Sequence, residues 1–202
     1  MTGGDGLDAV KAATWALHTR AERSGIVADI LAGRAGRDGV ALLLRNLLPV
    51  YLVLDASRFG EPGLVRAAAI EADLRMLSPD LFPALLPEGR AYAERVQQAA
   101  QRSDARLIAH AYVRYLGDLN GGRIMQRQLA TCLGGSAGPL QVHAFPALAD
   151  PAGFTRSYRT QLDQAVRDAG VDEVVQEAMA AFELNIALSE AVRAGSAQAA
   201  PN

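Results

Sequence analysis

Cysteine is nearly absent from this 202-residue chain, where Cys132 is the only one. No disulfide can form within the chain, and no metal centre can be built from several thiolates. Aromatics are scarce, at 5%, and runs of β-branched residues are few. Ala and Leu fill most of the apolar half of the sequence, which favours helices over strands. A basic excess is lacking too. The net charge is -2, so there is no positive field of the kind a nucleic-acid partner needs. No run reaches the ~18 apolar residues of a membrane span. The segment MTGGDGLDAVKAA has no apolar signal core, and AGSAQAAPN reads as a short polar tail. These absences lead to the expectation of a soluble, cytoplasmic protein with no membrane or nucleic-acid partner.

Internal repeats and long linkers are also missing, which predicts one domain over 1–202, with a core of about 7–194 and a tail over 195–202. Apolar spacing predicts helices over 7–24 and 26–32, stopped by Gly25 and Gly33. Arg37-Asp38-Gly39 reads as a turn. A strong stripe of Val40, Leu43, Leu44, Leu47, Tyr51 and Leu54 predicts a helix over 40–59, in which Pro49 should cause a bend or lengthen a turn. Further helices are expected over 64–77 and 90–101. A long one runs from an N-cap at Ser103 to Leu133, ended by Gly134-Gly135. Residues 136–150 read as loop. Asp150-Pro151 opens a helix that ends at Gly170, and the last helix covers about 172–194. The fold class is therefore an all-α bundle.

The long helix carries His110-Ala-Tyr-Val-Arg-Tyr-Leu-Gly-Asp-Leu-Asn-Gly-Gly122. Gly117, Gly121 and Gly122 sit in its interior, where each costs about 1 kcal/mol relative to Ala, about 3 kcal/mol for the set. Gly117 and Gly121 share a face. Such a notch serves either close packing of another helix or contact between the backbone and a flat ligand, and spacing alone does not choose. Asp118 lies beside the notch, and Arg114, four residues earlier, can reach it. Tyr112 and Tyr115 add phenols to the same helix. Alone, an Arg–Asp pair of this kind is a solvated ion pair, and the tyrosines are core.

The sequence has three histidines. His143 falls in the expected loop and reads as incidental, and His110 as a helix contact. His18 shares a helical stripe with Lys11, Trp15 and Glu22. A neutral imidazole is a good iron ligand, and Lys11 could meet an anionic edge of the same ligand. Taken alone, a lone histidine is more often structural.

The run 110–122 resembles the distal helix of the haem oxygenase family, with the pattern HAY-x-RYLGDL-x-GG. His18, within LHTRAE (17–22), is similar to that family's proximal motif. Phe154-Thr-Arg-Ser-Tyr158-Arg159 and Phe182-Glu-Leu-Asn185-Ile match it in order, so the resemblance spans roughly 7 to 192. It implies a multi-helix bundle with haem sandwiched between a proximal helix and a glycine-kinked distal helix. It implies oxidative opening of haem to biliverdin, with release of iron and carbon monoxide, using dioxygen and an electron donor such as ferredoxin or a flavin reductase. His18 would ligate the iron, and Gly117, Gly121 and Gly122 would lie against the other haem face. Asp118 would organise proton-delivering waters, with Tyr112, Arg114 and Asn185 in the polar network behind them. Lys11, Arg159 and Tyr158 would surround the haem propionates. Such a site leaves the difficult chemistry to haem, while the protein orients it and controls proton supply.

Trp15 and Thr155 stand where some family members carry lysines for the propionates. Propionate pairing sets the rotation of haem, so the meso carbon attacked is left open. Three other readings are consistent with parts of the sequence. The first is a haem carrier that does not degrade its ligand, though carriage has no use for a positioned acid such as Asp118. The second is a thiaminase-type enzyme, with Cys132 as nucleophile where a structural cysteine is the simpler reading. The third is a ligand-free helical interaction protein.

Overall fold

The computed structural model describes residues 6–80, 82–134 and 139–198, and these contain helices and loops with no strand. The helices are α1 (Gly6–Glu22), α2 (Gly25–Leu31), α3 (Arg37–Asp55), α4 (Ala67–Leu77), α5 (Pro87–Arg102), α6 (Asp104–Ala111), α7 (Gly117–Cys132), α8 (Pro151–Ala169) and α9 (Val171–Gln198). A short 3-10 turn, Pro62–Leu64, precedes α4, and a π turn, Tyr112–Leu116, joins α6 to α7. Gly135, residues 136–138 of the expected loop, and 199–202 of the expected tail lie outside the described residues.

The capping chemistry acts as the sequence suggests. Ser103 Oγ accepts the Arg106 amide N–H at 3.3 Å and opens α6. Asp150 accepts the Gly153 N–H at 2.9 Å, with Pro151 in the first turn of α8. Gly25 separates α1 from α2 at φ 52, and a Cβ there would collide with the Ser189 backbone at 2.2 Å. Only glycine meets both demands. Ser189 Oγ also accepts the Val27 N–H and donates to the Ser24 carbonyl, which ties α2 to α9.

α9 is the spine of the bundle, packing against α1, α2, α3, α5, α6 and α8. The core around it is aliphatic, with Leu7, Val10, Leu54, Ile108, Leu162, Val174 and Val192 fully buried. Each such side chain contributes about 1.5–3 kcal/mol by leaving water. None of the described helices is long and apolar enough to cross a membrane.

Three expectations need correction. Arg37-Asp38-Gly39 is not a turn but the first turn of α3, whose Arg37 guanidinium donates to the Leu77 carbonyl. Residues 195–198 continue α9 and are not a tail. The long helix from 103 is interrupted by the π turn at 112–116, upstream of the glycines. Gly117, the first residue after that turn, has ordinary helical angles, φ -59 and ψ -49. Such π turns recur at functional sites.

Candidate functional site

A cavity of about 540 Å³ opens between α1 and α7, with α3 and α9 contributing further walls. The volume lies in the ordinary range for sites that hold a small molecule. One wall carries the α1 stripe read from the sequence: Lys11, Trp15, His18 and Glu22 all border the cavity. Trp15 stacks on the His18 ring at 5.7 Å between centroids, and Phe182 meets that ring edge-on at 5.9 Å. His18 Nδ1 stands 3.9 Å from Glu22 Oε1, beyond hydrogen-bond length. The imidazole is thus held by aromatic neighbours, with 46% of the side chain accessible.

The opposing wall is α7. A Cβ added at Gly117 or Gly121 would meet nothing within 4 Å, and both residues border the cavity. These two glycines are not spaces for a packed helix. They leave bare backbone facing open volume. Gly122 differs: it is buried, and its Cβ would contact the His143 Cβ at 3.5 Å. It accommodates a neighbouring loop instead of bordering the cavity.

Behind α7 lies a buried polar network. Tyr51 from α3 donates its hydroxyl proton to Asp118 Oδ2 and accepts from Arg114 Nε at 3.0 Å and Nη2 at 2.6 Å. One donor and two lone pairs are thereby all used. Arg114 Nη1 donates to Asn185 Oδ1 at 2.8 Å, and Asn185 Nδ2 donates to Tyr92 Oη at 2.9 Å and to the Ala181 carbonyl at 2.8 Å. Burial alone would weaken the Arg114 charge. The Tyr51 and Asp118 oxygens outweigh it, so the pKa lies above the ordinary arginine value. Burial also pushes the Tyr51 phenol well above its usual range. The network is therefore a fixed, charged guanidinium and a neutral phenol, both aimed at one carboxylate that is 6% exposed.

Several of the expected site residues come together at the cavity, and others do not. Lys11, His18, Arg114, Gly117, Asp118, Gly121, Arg159 and Asn185 border it. Tyr112 borders it too, but at the Lys11 end, where its hydroxyl lies against Thr14 and within the fields of Arg159 and Asp8. It has no hydrogen bond to the Asp118 network among the described residues. Tyr158 is displaced further. It is buried, stacked on Phe154, and donates its hydroxyl to the Phe59 carbonyl at 3.0 Å. That hydroxyl is committed to the core, because it faces the loop after α3 and not the cavity rim. Arg159 is at the rim but paired with Asp8 at 2.7 Å. Cys132 is half-buried, with Sγ 3.8 Å from the Ile30 carbonyl, and does not border the cavity.

Sequence reasoning misses two groups. Tyr51 reads as one more apolar position of the α3 stripe, although a phenol on an aliphatic stripe is a signal that its hydroxyl needs a partner. His143, incidental on sequence grounds, is 12% exposed and lines the cavity, with Nδ1 3.7 Å from Asp118 Oδ1. Burial pulls its pKa below the ordinary histidine value, against the opposing pull of Asp118. His110 behaves as expected: fully buried, with Nε2 3.0 Å from Glu177 Oε1.

Known proteins share this architecture. The family model described as Heme oxygenase matches residues 6–191. The chain is 35% identical to the Heme oxygenase of Takifugu rubripes over 90% of its own length and 72% of that protein's. It is 31% identical to Heme oxygenase 1 of Nostoc sp., covering 84% of this chain and 78% of the relative. Among solved structures, heme oxygenase-1 from Synechocystis sp. in complex with heme superposes with a TM-score of 0.85 at 26% identity, over 96% of this chain and 95% of the other. Heme oxygenase from Leptospira interrogans superposes with a TM-score of 0.84 at 26% identity, over 93% and 99%.

Proposed function

The chain belongs to the haem oxygenase family, and from that premise we propose that it binds haem in the α1–α7 cavity and opens it oxidatively to biliverdin. The observation that carries this reading is the pair of bare glycines, Gly117 and Gly121, facing open volume on the wall that also holds Asp118, with His18 on the other wall. A flat macrocycle fits where any Cβ would intrude. Bound haem supplies the iron that activates dioxygen.

The chain's own residues do the rest. The His18 imidazole is the candidate iron ligand, aligned by Trp15 and Phe182. Lys11 and Arg159 are the cations available to the propionates, since Tyr158 is spent on Phe59. Bare backbone at Gly117 and Gly121 limits the space above the ring. Asp118 is too well anchored by Tyr51 to swing out as a ligand. Its second oxygen, Oδ1, lies 3.8 Å from Arg114 Nη2, leaving it free to orient water. Tyr51 holds that carboxylate still, and Tyr51 and Asn185 in turn fix Arg114 beside it, so a proton passes through ordered water and not through a moving side chain. The protein works as one domain, in the cytoplasm, and receives electrons from a ferredoxin or flavin reductase.

Reconstitution with haemin tests the reading. Wild-type protein is expected to give a Soret band of a histidine-ligated complex. With ascorbate or a reductase system, that band is replaced by biliverdin absorbance, and released iron and carbon monoxide accompany it. His18→Ala is expected to lose the ligated spectrum and regain it with added imidazole. Stable haem absorbance with no biliverdin would leave a carrier in place of an enzyme.

A further inference from the structure

His143 is a polar side chain whose burial has no structural return of its own. Its Nδ1 is buried without a hydrogen-bond partner among the described residues, and an orphaned buried polar atom calls for an explanation. The segment that carries it is held firmly. Arg66 donates to the carbonyls of Gln141, Val142 and Ala144, and Asp73 accepts the N–H groups of Gln141 and Val142. Arg66 also lies over the Phe145 ring at 4.2 Å. From α7 the Gly122 backbone faces this residue, and a Cβ there would stand at ordinary contact distance, 3.5 Å from His143 Cβ. The backbone that carries the imidazole is thus held at the cavity wall by Arg66 and Asp73.

Its neighbour is the free oxygen of Asp118. Oδ2 is taken by Tyr51, while Oδ1 stands 3.7 Å from His143 Nδ1 and 3.8 Å from Arg114 Nη2. Both gaps exceed a hydrogen bond and suit a single bridging water. The charged groups facing the ring are Asp118, Arg114 and Arg66. Two of these three are cations, which together with burial keep the imidazole neutral.

We propose that His143 is a positioning residue: its imidazole and the Asp118 carboxylate together hold one water at the cavity wall, and so set the route by which protons reach dioxygen. The proposal rests on the activity stated above. In the neutral ring the nitrogen that carries the proton follows its partner. Water bridging Nδ1 to a carboxylate accepts from Nδ1–H and donates to Oδ1, which fixes the Nδ1–H tautomer.

The test has one arm without haem. Nitrogen-15 imidazole spectra of the apo-protein, with His143 assigned by its loss in His143→Phe, are expected to show a neutral ring protonated on Nδ1 at pH 7. Asp118→Ala is expected to move that proton to Nε2. The same tautomer in both proteins would overturn the proposal. The second arm measures biliverdin formed per haem consumed. His143→Phe keeps the bulk and is expected to lower the yield about 10- to 100-fold, without lowering the melting temperature or haemin affinity. His143→Asn, whose amide stands in for Nδ1–H, is expected to restore most of it. An undiminished yield from His143→Phe would also overturn the proposal. Absence of biliverdin from the wild type would instead refute the enzymatic reading, and the tautomer arm would still decide the water site.

Discussion

Adding one methyl group at Gly117 and another at Gly121 should stabilise the empty protein while spoiling its ligand site. Both positions are helical, with no conflicting backbone angle at Gly117, and neither Cβ would meet an atom within 4 Å. Gly→Ala at a helix interior gains about 0.8–1 kcal/mol, so the double variant gains about 2 kcal/mol. For a chain of this size that corresponds to a rise of about 4–8 °C in apo-protein melting temperature. The same methyls project into the open volume proposed to take the ring. Overpacking of this kind costs about 1–3 kcal/mol, or about 5- to 150-fold in haemin affinity. Thermal unfolding followed by circular dichroism, and haemin titration followed at the Soret band, measure the two effects separately.

Gly122→Ala supplies the internal control. Its Cβ would rest on His143 Cβ at an ordinary contact distance of 3.5 Å, away from the cavity lining. It should gain a similar increment of helix stability and leave haemin affinity close to wild type. An apo-protein no more stable after the double substitution would mean that Gly117 and Gly121 are not open positions. A double variant with undiminished haemin affinity would mean that the ring does not lie against this stretch of α7. Either result refutes the reasoning.

Other consequences are equally direct. Asp118→Ala strips Tyr51 of its acceptor and removes the oxygen that orients water; biliverdin yield should fall about 100-fold or more, while haemin still binds with a His18-ligated spectrum. Glu177 sits 3% exposed between Arg95, at 2.6 Å, and His110, at 3.0 Å. Burial opposes its charge, but hydrogen bonds from His110 and Arg95 prevail and lower its pKa from 4.5 to about 2. Because the folded pKa is depressed, the stabilisation is complete above about pH 4.5 and disappears as pH falls towards about 2. Glu177→Ala should therefore cost about 3–5 kcal/mol at pH 7 and flatten the acid limb of the stability profile, both read by urea melts. Cys132→Ser alters a side chain outside the cavity and should leave biliverdin formation unchanged; a lost activity would reopen a thiol-based chemistry.

The parts of this structure that are legible in the sequence are those written locally. The α1 stripe of Lys11, Trp15, His18 and Glu22 comes from helical periodicity alone, and the caps at Ser103 and Asp150 depend on residues within three positions of themselves. The glycines of α7 announce an unusual surface because their cost falls on the helix that contains them. Periodicity cannot reveal which of the three faces the cavity and which faces protein. Gly122 lies one residue from Gly121, about 100° around the helix, and that rotation is enough to turn it from cavity to loop. The π turn at 112–116 adds to the difficulty, because one extra residue per turn rotates the face presented by α6 relative to that presented by α7. Tyr112 lies near Thr14 while Arg114, two positions on, and Asp118 meet Tyr51.

The illegible residues share a different property: their partners are distant in sequence. Tyr51 meets Asp118 across 67 positions, and Arg66 reaches the 141–144 segment across 75 to 78. Such contacts exist only once the bundle has closed, so each residue alone reads as core or surface. Tyr158 illustrates the converse error, since a motif position suggests a ligand contact that its bond to the Phe59 carbonyl, 99 positions away, forbids. The same logic explains why His143 is informative. A histidine in a loop carries no periodic signal, yet Arg66 and Asp73 hold its segment beside Asp118. Residues that serve only to fix another residue have to be read from the fold, and where they converge on an unpartnered polar atom, that atom marks where the site meets its water or its ligand.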